Sequence, residues 1–254
     1  MKTDRNDARS IAQVMRIGWF SIVHVKSTGS QELRMLLANR KMLHTKQIDI
    51  ENEIRGTLRV FGLKLSGRIQ QSVFERQAME LISDRPRLVA MVRPMLVARA
   101  ALREQCAVLH KMMLKAVRLD DTCRRLMTVP GVGALTAVTF VTTIDDPARF
   151  ERSRDVGAHL GLTPRKYASG EVDRNGAISK CGDSLCRTTL YQASLALLTR
   201  TRRWSSLKAW GMGVAKRRGM RRAVVAVARK LAIVMHRIWS DGAEFCWTRN
   251  EATS

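Results

Sequence analysis

From Leu33 to Phe61 apolar residues return at intervals of three, four and seven: Leu33, Leu36, Leu37, Leu43, Ile50, Ile54, Leu58 and Phe61. That spacing predicts a single helix of about 30 residues, roughly 45 Å long, with one apolar stripe. A helix so long and so narrowly striped cannot cover its own apolar face and needs a helical partner. Gly62 and Gly67 bracket its end, and Pro86 and Pro94 punctuate the next stretch. A second stripe runs through Met95, Leu102, Cys106, Leu109, Met113 and Ala116. The pair predicts an antiparallel hairpin, a dimerising coiled coil, or two ordinary core helices of a bundle.

The chain divides around this arm into three parts: 1–27, 28–118 and 119–254. In the first, Ile11, Val14, Met15 and Ile17 have helical spacing that stops at Gly18, and Phe20 to Lys26 reads as a short extended segment. The third opens on Leu126 to Ala137, continues through a turn-rich stretch from Gly161 to Gly182, and closes with two or three helices.

Charge narrows the function. The chain has 45 Lys+Arg against 22 Asp+Glu, a net charge of +23. Such an excess calls for a polyanionic partner, nucleic acid before an anionic membrane surface. The most apolar stretch, Ala223 to Met235, is short and interrupted by Arg229 and Lys230, which argues against a membrane span. The first residues lack the apolar core of a signal peptide, and five cysteines in unpaired spacing fit a reduced, intracellular protein. Cys181 and Cys186 could form half a zinc site, but no second pair stands at ligand spacing.

Four groups of residues could carry chemistry. Pro130, Gly131, Val132 and Gly133, with apolar residues on both sides, form a helix-hairpin-helix pattern. Its glycines permit a tight turn, and free N–H groups at the start of the second helix can face a phosphate; the plainer alternative is an ordinary turn between helices. Residues 200–237 hold 12 Lys+Arg and no Asp or Glu, and Arg222, Arg229 and His236 fall seven apart, as do Lys230 and Arg237. On a helix these make a basic stripe opposite Val224, Val227, Leu231, Val234 and Ile238, either a nucleic-acid contact or a solvated face. Ser169 stands before Gly170 in a basic stretch with Arg165, Lys166, Arg174 and Lys180. Its hydroxyl could attack a phosphodiester, although a serine before a glycine is also common in turns. Asp4 and Asp7 share a helix face and could contribute to a Mg²⁺ site, or could simply suit a helix start.

Together these segments resemble a family. Lys2 to Ala8 is similar to the last acidic motif of the Asp-Glu-Asp-Asp transposases of bacterial insertion elements, the group numbered one hundred and ten, related to pilin-gene inverting recombinases. Val25 to Ser27 with Gln31 to Arg34 resembles the start of that family's coiled coil. Val129 to Gly133, Gly161 to Pro164, Ser169 with Gly170, and Ile178 to Gly182 resemble its C-terminal domain. Ala226 to Ala232 with His236 and Trp239 resembles its end. The resemblance implies an RNase H-like domain with four acidic metal ligands, a helical domain supplying a serine, and DNA cut and rejoined through a phosphoserine, in better-known relatives under a structured guide RNA. Carried over, Ser169 is the nucleophile and Asp4 and Asp7 are the last two metal ligands.

The family's first Asp and its Glu would precede Met1, so the expectation is half a metal site and a chain inactive by itself. The resulting expectation is a mostly α protein: a remnant of an RNase H-like domain, a long helical coiled-coil arm, and a compact α-helical C-terminal domain with a helix-hairpin-helix and a short hairpin or loop insertion. Its expected function is DNA transposition or site-specific recombination, as a homo-oligomer in the nucleoid-bearing cytoplasm. A non-catalytic DNA- or RNA-binding module is the alternative.

Overall fold

The computed structural model describes residues 3–20, 23–65 and 73–247, the side chain of Val172 excepted. Gly67, Ser21, Ile22 and Lys2 lie outside them. The fold is mostly α. The stripe from Leu33 becomes α2 (Thr28–Val60), which follows α1 (Asp4–Arg16) and precedes the short α3 (Phe74–Leu81) and the long α4 (Pro86–Leu119). Then come α5 (Asp121–Leu126), α6 (Ala134–Ile144), a 3-10 turn at Pro147–Arg149 and α7 (Ser153–His159). Strands β1 (Pro164–Ser169) and β2 (Val172–Ile178) form an antiparallel hairpin, and α8 (Ser184–Thr199), α9 (Ser206–Arg218) and α10 (Met220–Asp241) complete the chain. Side-chain oxygens start several helices: Ser27, Asp120, Asp183 and Ser205 each accept from the N–H three residues on.

Helices α2 and α4 run antiparallel, since Arg99 meets Glu51 and the Cys106 thiol meets the Arg40 carbonyl. At the outer end Ile54, Leu58, Val92 and Leu96 close a small core with Phe74 and Ala78 of α3. Midway the seam turns polar. Arg99 is buried, bonds Glu51 at 2.8 Å and, with Arg55, places a guanidinium over the Phe74 ring at 4.7 and 4.8 Å. Pro94 does not break α4, contrary to the sequence expectation; Pro86 occupies its first turn, where no N–H is needed. Pro94 is exposed, so water can serve the carbonyl that its ring leaves unpaired.

The main core does not stop at residue 119. Leu37, Met113 and Val117 of the arm are buried in one cluster with Leu126, Phe140, Leu190, Leu197, Val224 and Leu231. Helix α6 lies almost wholly inside it. Its buried threonines are tolerable because Thr139, Thr142 and Thr143 donate back to carbonyls one turn earlier.

Candidate nucleic-acid interface

The helix-hairpin-helix pattern folds as α5, a turn over Met127–Gly133, and α6. Gly131 has φ +86°, and a Cβ there would stand 2.3 Å from the Ala193 carbonyl of α8. The turn is thus seated directly on α8 backbone. Gly133 is different: it starts α6 with φ −103°, is exposed, and a Cβ there would meet nothing within 4 Å. No side chain caps α6, so its first N–H groups are open to an anion or to water.

Ser169 ends β1 beside the Gly170 turn and is exposed. Alternation along the strand puts Arg165, Tyr167 and Ser169 on one face. Arg174, directly opposite Tyr167 in register, joins that face. The Tyr167 ring lies against Gly176, where a Cβ would stand 2.7 Å from it. Lys166 faces the other way and pairs with Asp173 at 3.1 Å, and the Arg165 guanidinium donates to the Ser179 carbonyl at 3.2 Å, so of the four cations expected around Ser169 the strand face holds two, Arg174 and, drawn toward the hairpin's foot, Arg165. Lys180 sits at the hairpin's foot with φ 58° and exposed, its N–H bonded to the Gly161 carbonyl at 3.1 Å. Arg187 fastens the same foot by donating to the Leu160 and Cys181 carbonyls.

Asp4 and Asp7 occupy the first turn of α1, which buries none of its residues. Among the described residues, no hydrogen bond or ion pair joins them to the hairpin, and no group of three or more His, Cys, Asp or Glu forms a metal cluster. Cys186 is buried, and burial pushes its thiol up to about 12, which leaves it a thiol rather than a thiolate ligand.

The basic stripe is also revised. Arg222 and Arg229 are exposed on α10, and the Arg229 stem crosses Gly157 of α7. Val224, Val227, Leu231 and Ile238 are buried on the opposite side. His236 leaves the stripe. It is buried, with Nε2 3.0 Å from the Pro147 carbonyl and Nδ1 3.0 Å from the Ser153 hydroxyl. The Pro147 carbonyl can only accept, so Nε2 donates to it, and with the Ser153 hydroxyl at Nδ1 this histidine pins α10 to the 3-10 turn and α7.

The segment between α1 and α2 carries a connection that periodicity could not disclose. Lys26 donates to the Thr142 and Thr143 carbonyls at the C-terminus of α6, where a cation suits the helix dipole. His24 and Ser27 both bond Asp145, at 2.6 and 2.6 Å. Burial pushes the Asp145 carboxyl up, but the bonds from Ser27, Ser30 and His24 outweigh it and hold the group well below the usual carboxylate range. This strap fixes the chain entering α2 against the far end of the helix that opens at Gly133.

The arrangement defines a basic, helical protein whose helix-hairpin-helix turn and cationic hairpin both fall between α5 and α8. The family model described as "Transposase IS116/IS110/IS902 family" matches residues 123–210, the span from α5 into α9. The chain is 33% identical over 244 residues to the transposase for insertion sequence element IS1111A of Coxiella burnetii, covering 94% of this chain and 66% of that protein. It is 28% identical over 247 residues to the transposase for insertion sequence element IS1328 of Yersinia enterocolitica, covering 96% and 73%. Residues 123–210 thus match the IS116/IS110/IS902 transposase family model, nearly the whole chain is similar to transposases of insertion elements, and the chain spans just under two thirds of the Coxiella relative's length. Among the described residues no helix is long and apolar enough to cross a membrane.

Proposed function

We propose that these residues form the DNA-handling, nucleophile-bearing part of a transposase that cuts and rejoins DNA through Ser169. The observation that carries the reading is the exposed Ser169 hydroxyl on the same hairpin face as Arg165 and Arg174, inside the span that matches the transposase family. In the proposed step Ser169 Oγ attacks the scissile phosphorus. An O–P bond to serine forms, the bond to the leaving deoxyribose oxygen breaks, and the serine proton ends on that oxygen. The phosphoserine keeps the phosphodiester's energy, so the reverse step can join a different strand end. Arg165 and Arg174 offset the charge that grows on the phosphoryl oxygens. The test is the link itself: in a transposase that carries these residues together with the complete acidic set, DNA bearing an element end should stay attached to the protein under denaturing conditions.

Mg²⁺ fits these residues only in part. Asp4 and Asp7 are two carboxylates on an exposed helix, fewer than a stable site needs, and no step is derived through the ion. They are proposed as ligands only alongside acids from an RNase H-like segment. Residues 1–254 by themselves are proposed to bind DNA without cutting it. Selection of sites by a structured RNA is a further part of the proposal, carried over from the resemblance of the sequence alone.

Binding rests on backbone N–H groups at Gly131–Gly133 and on counterion release at Lys166, Lys180 and the α10 face. Reversing Arg222 and Arg229 to Glu should lower the slope of log K against log salt by about 2, because each phosphate contact contributes close to one. Fluorescence anisotropy over a salt series measures it, and an unchanged slope makes these arginines a solvated face. Assembly is the other expectation. Met35 and Met42 of α2 and Val97, Val108 and Met112 of α4 are exposed on the arm, and a second copy is proposed to cover them. Sedimentation at micromolar concentration should show a species heavier than 28.7 kDa; a monomer refutes it.

A further inference from the structure

We propose that the loop between α8 and α9 is a stacking platform for an unpaired nucleobase, with Trp204 as the stacking ring. The inference rests on the nucleic-acid reading above and adds a distinction that reading lacks: recognition of bases outside a duplex. Trp204 is 61% exposed. Leaving so large an apolar ring in water sacrifices the burial that normally stabilises tryptophan. The ring is nevertheless held. Ser205 caps α9 at the next residue, accepting from the Lys208 N–H. The Lys208 ammonium, 5.4 Å from the Trp204 ring centroid, donates to the Thr201 carbonyl at 2.6 Å. The loop is thus braced at both ends while most of the indole stays open.

The surroundings specify the partner's chemistry. Arg200, Arg202 and Arg203 precede the ring, and no Asp or Glu occurs anywhere in 200–237. The Arg203 guanidinium lies 4.2 Å from the Trp247 ring centroid, and Phe245 meets Trp247 edge-on at 5.5 Å. The Phe245 N–H then bonds the Thr128 hydroxyl at 3.0 Å, at the foot of the helix-hairpin-helix turn. Gly131 of that turn rests on Ala193 and Leu197 of α8, the helix that runs into the Trp204 loop. Platform and phosphate-facing turn are therefore built onto the same end of α8. An aromatic ring within a run of cations, beside a backbone-binding turn, is the combination that binds single strands: cations track the phosphates and the ring takes a base. Away from its two ends a duplex offers it no base face, because its bases are already stacked on one another. A strand that is displaced, nicked or looped can.

The experiment compares the chain with Trp204→Ala and Trp204→Phe on three probes of equal length: oligothymidylate, oligouridylate, and a blunt DNA duplex. Trp204→Ala should weaken single-strand binding about ten-fold, the loss of one stacked base, with the salt slope unchanged because stacking releases no counterions. Trp204→Phe should recover most of that loss, and duplex affinity should stay within about two-fold for both. A loss on both single strands means the base is read whatever its sugar. A loss on one alone identifies the source as DNA or RNA. No loss on either strand, or an equal loss on the duplex, overturns the platform, as does a change in self-association without a change in nucleic-acid affinity. If the unaltered chain binds none of the probes, the nucleic-acid reading itself fails, which is a different result. Circular dichroism of both variants checks the fold, which an exposed ring supports little.

Discussion

Ser169→Ala is expected to abolish the covalent protein–DNA adduct while leaving DNA affinity within about two-fold. Removing the attacking atom of a covalent mechanism costs orders of magnitude in rate, so adduct formation should fall at least about a thousand-fold. Binding should survive, because one exposed hydroxyl adds little to a surface of net charge +23. The measurement is gel retention of labelled DNA under denaturing conditions, made with a transposase that carries the complete acidic set. The hairpin also supplies its own control. Tyr167 lies on the same strand face as Ser169 and is 54% exposed, so it is the neighbouring hydroxyl able to reach the same phosphate. If Ser169→Ala keeps the adduct and Tyr167→Phe loses it, the nucleophile is the tyrosine. With residues 1–254 alone, neither cleavage nor adduct is expected in Mg²⁺ or Mn²⁺. Cleavage lost on Asp7→Asn would show that two carboxylates suffice.

The residues that sequence reading placed correctly are those whose position follows from period alone. Leu37, Ile54 and Leu58 fall on the buried side of α2, and Val224, Val227 and Leu231 on that of α10, because a helix repeats every 3.6 residues whatever surrounds it. Around Ser169 the turn residues left a hairpin or a loop insertion open, and the pairing of β1 with β2 decides for the hairpin. What escaped depends on partners far along the chain. His236 kept the seven-residue spacing of a basic stripe, yet Ser153 and Pro147 take it into the core. Lys166 was one of four cations around a serine until strand alternation turned it toward Asp173. Arg99 sits on an apolar seam because Glu51 and Phe74 offset its burial, and no local pattern announces that pairing. Asp145 meets His24 and Ser27 more than a hundred residues away. Trp204 had a signal, an aromatic residue inside a run of cations, but only its exposure separates a platform from an ordinary core tryptophan.

The two glycines of the helix-hairpin-helix turn should separate by stability. Gly131→Ala is expected to destabilise the chain by about 3 kcal/mol, combining left-handed backbone strain with a methyl forced onto packed backbone. Its φ is +86°, and the new Cβ would stand 2.3 Å from the Ala193 carbonyl and 3.0 Å from the Leu197 Cβ. Neither neighbour can yield cheaply, since one is helix backbone and the other starts a buried side chain. For a chain of this size that shift lowers the melting temperature by roughly 6–12 °C. Gly133→Ala should leave the melting temperature within about 2 °C, because its φ of −103° suits any residue and the space around it is open. The fold does not require a glycine there. A phosphate drawn against the first N–H groups of α6 would pass where that side chain grows. Gly133→Val should therefore weaken DNA binding several-fold at a stability cost of about 1 kcal/mol, the loss expected when a β-branched residue replaces glycine at a helix N-cap, well short of the Gly131 effect. Calorimetry and anisotropy on the same samples decide it. If Gly133→Val binds DNA as the unaltered chain does, the turn is structural, and the phosphate contact must be sought on the α10 face instead.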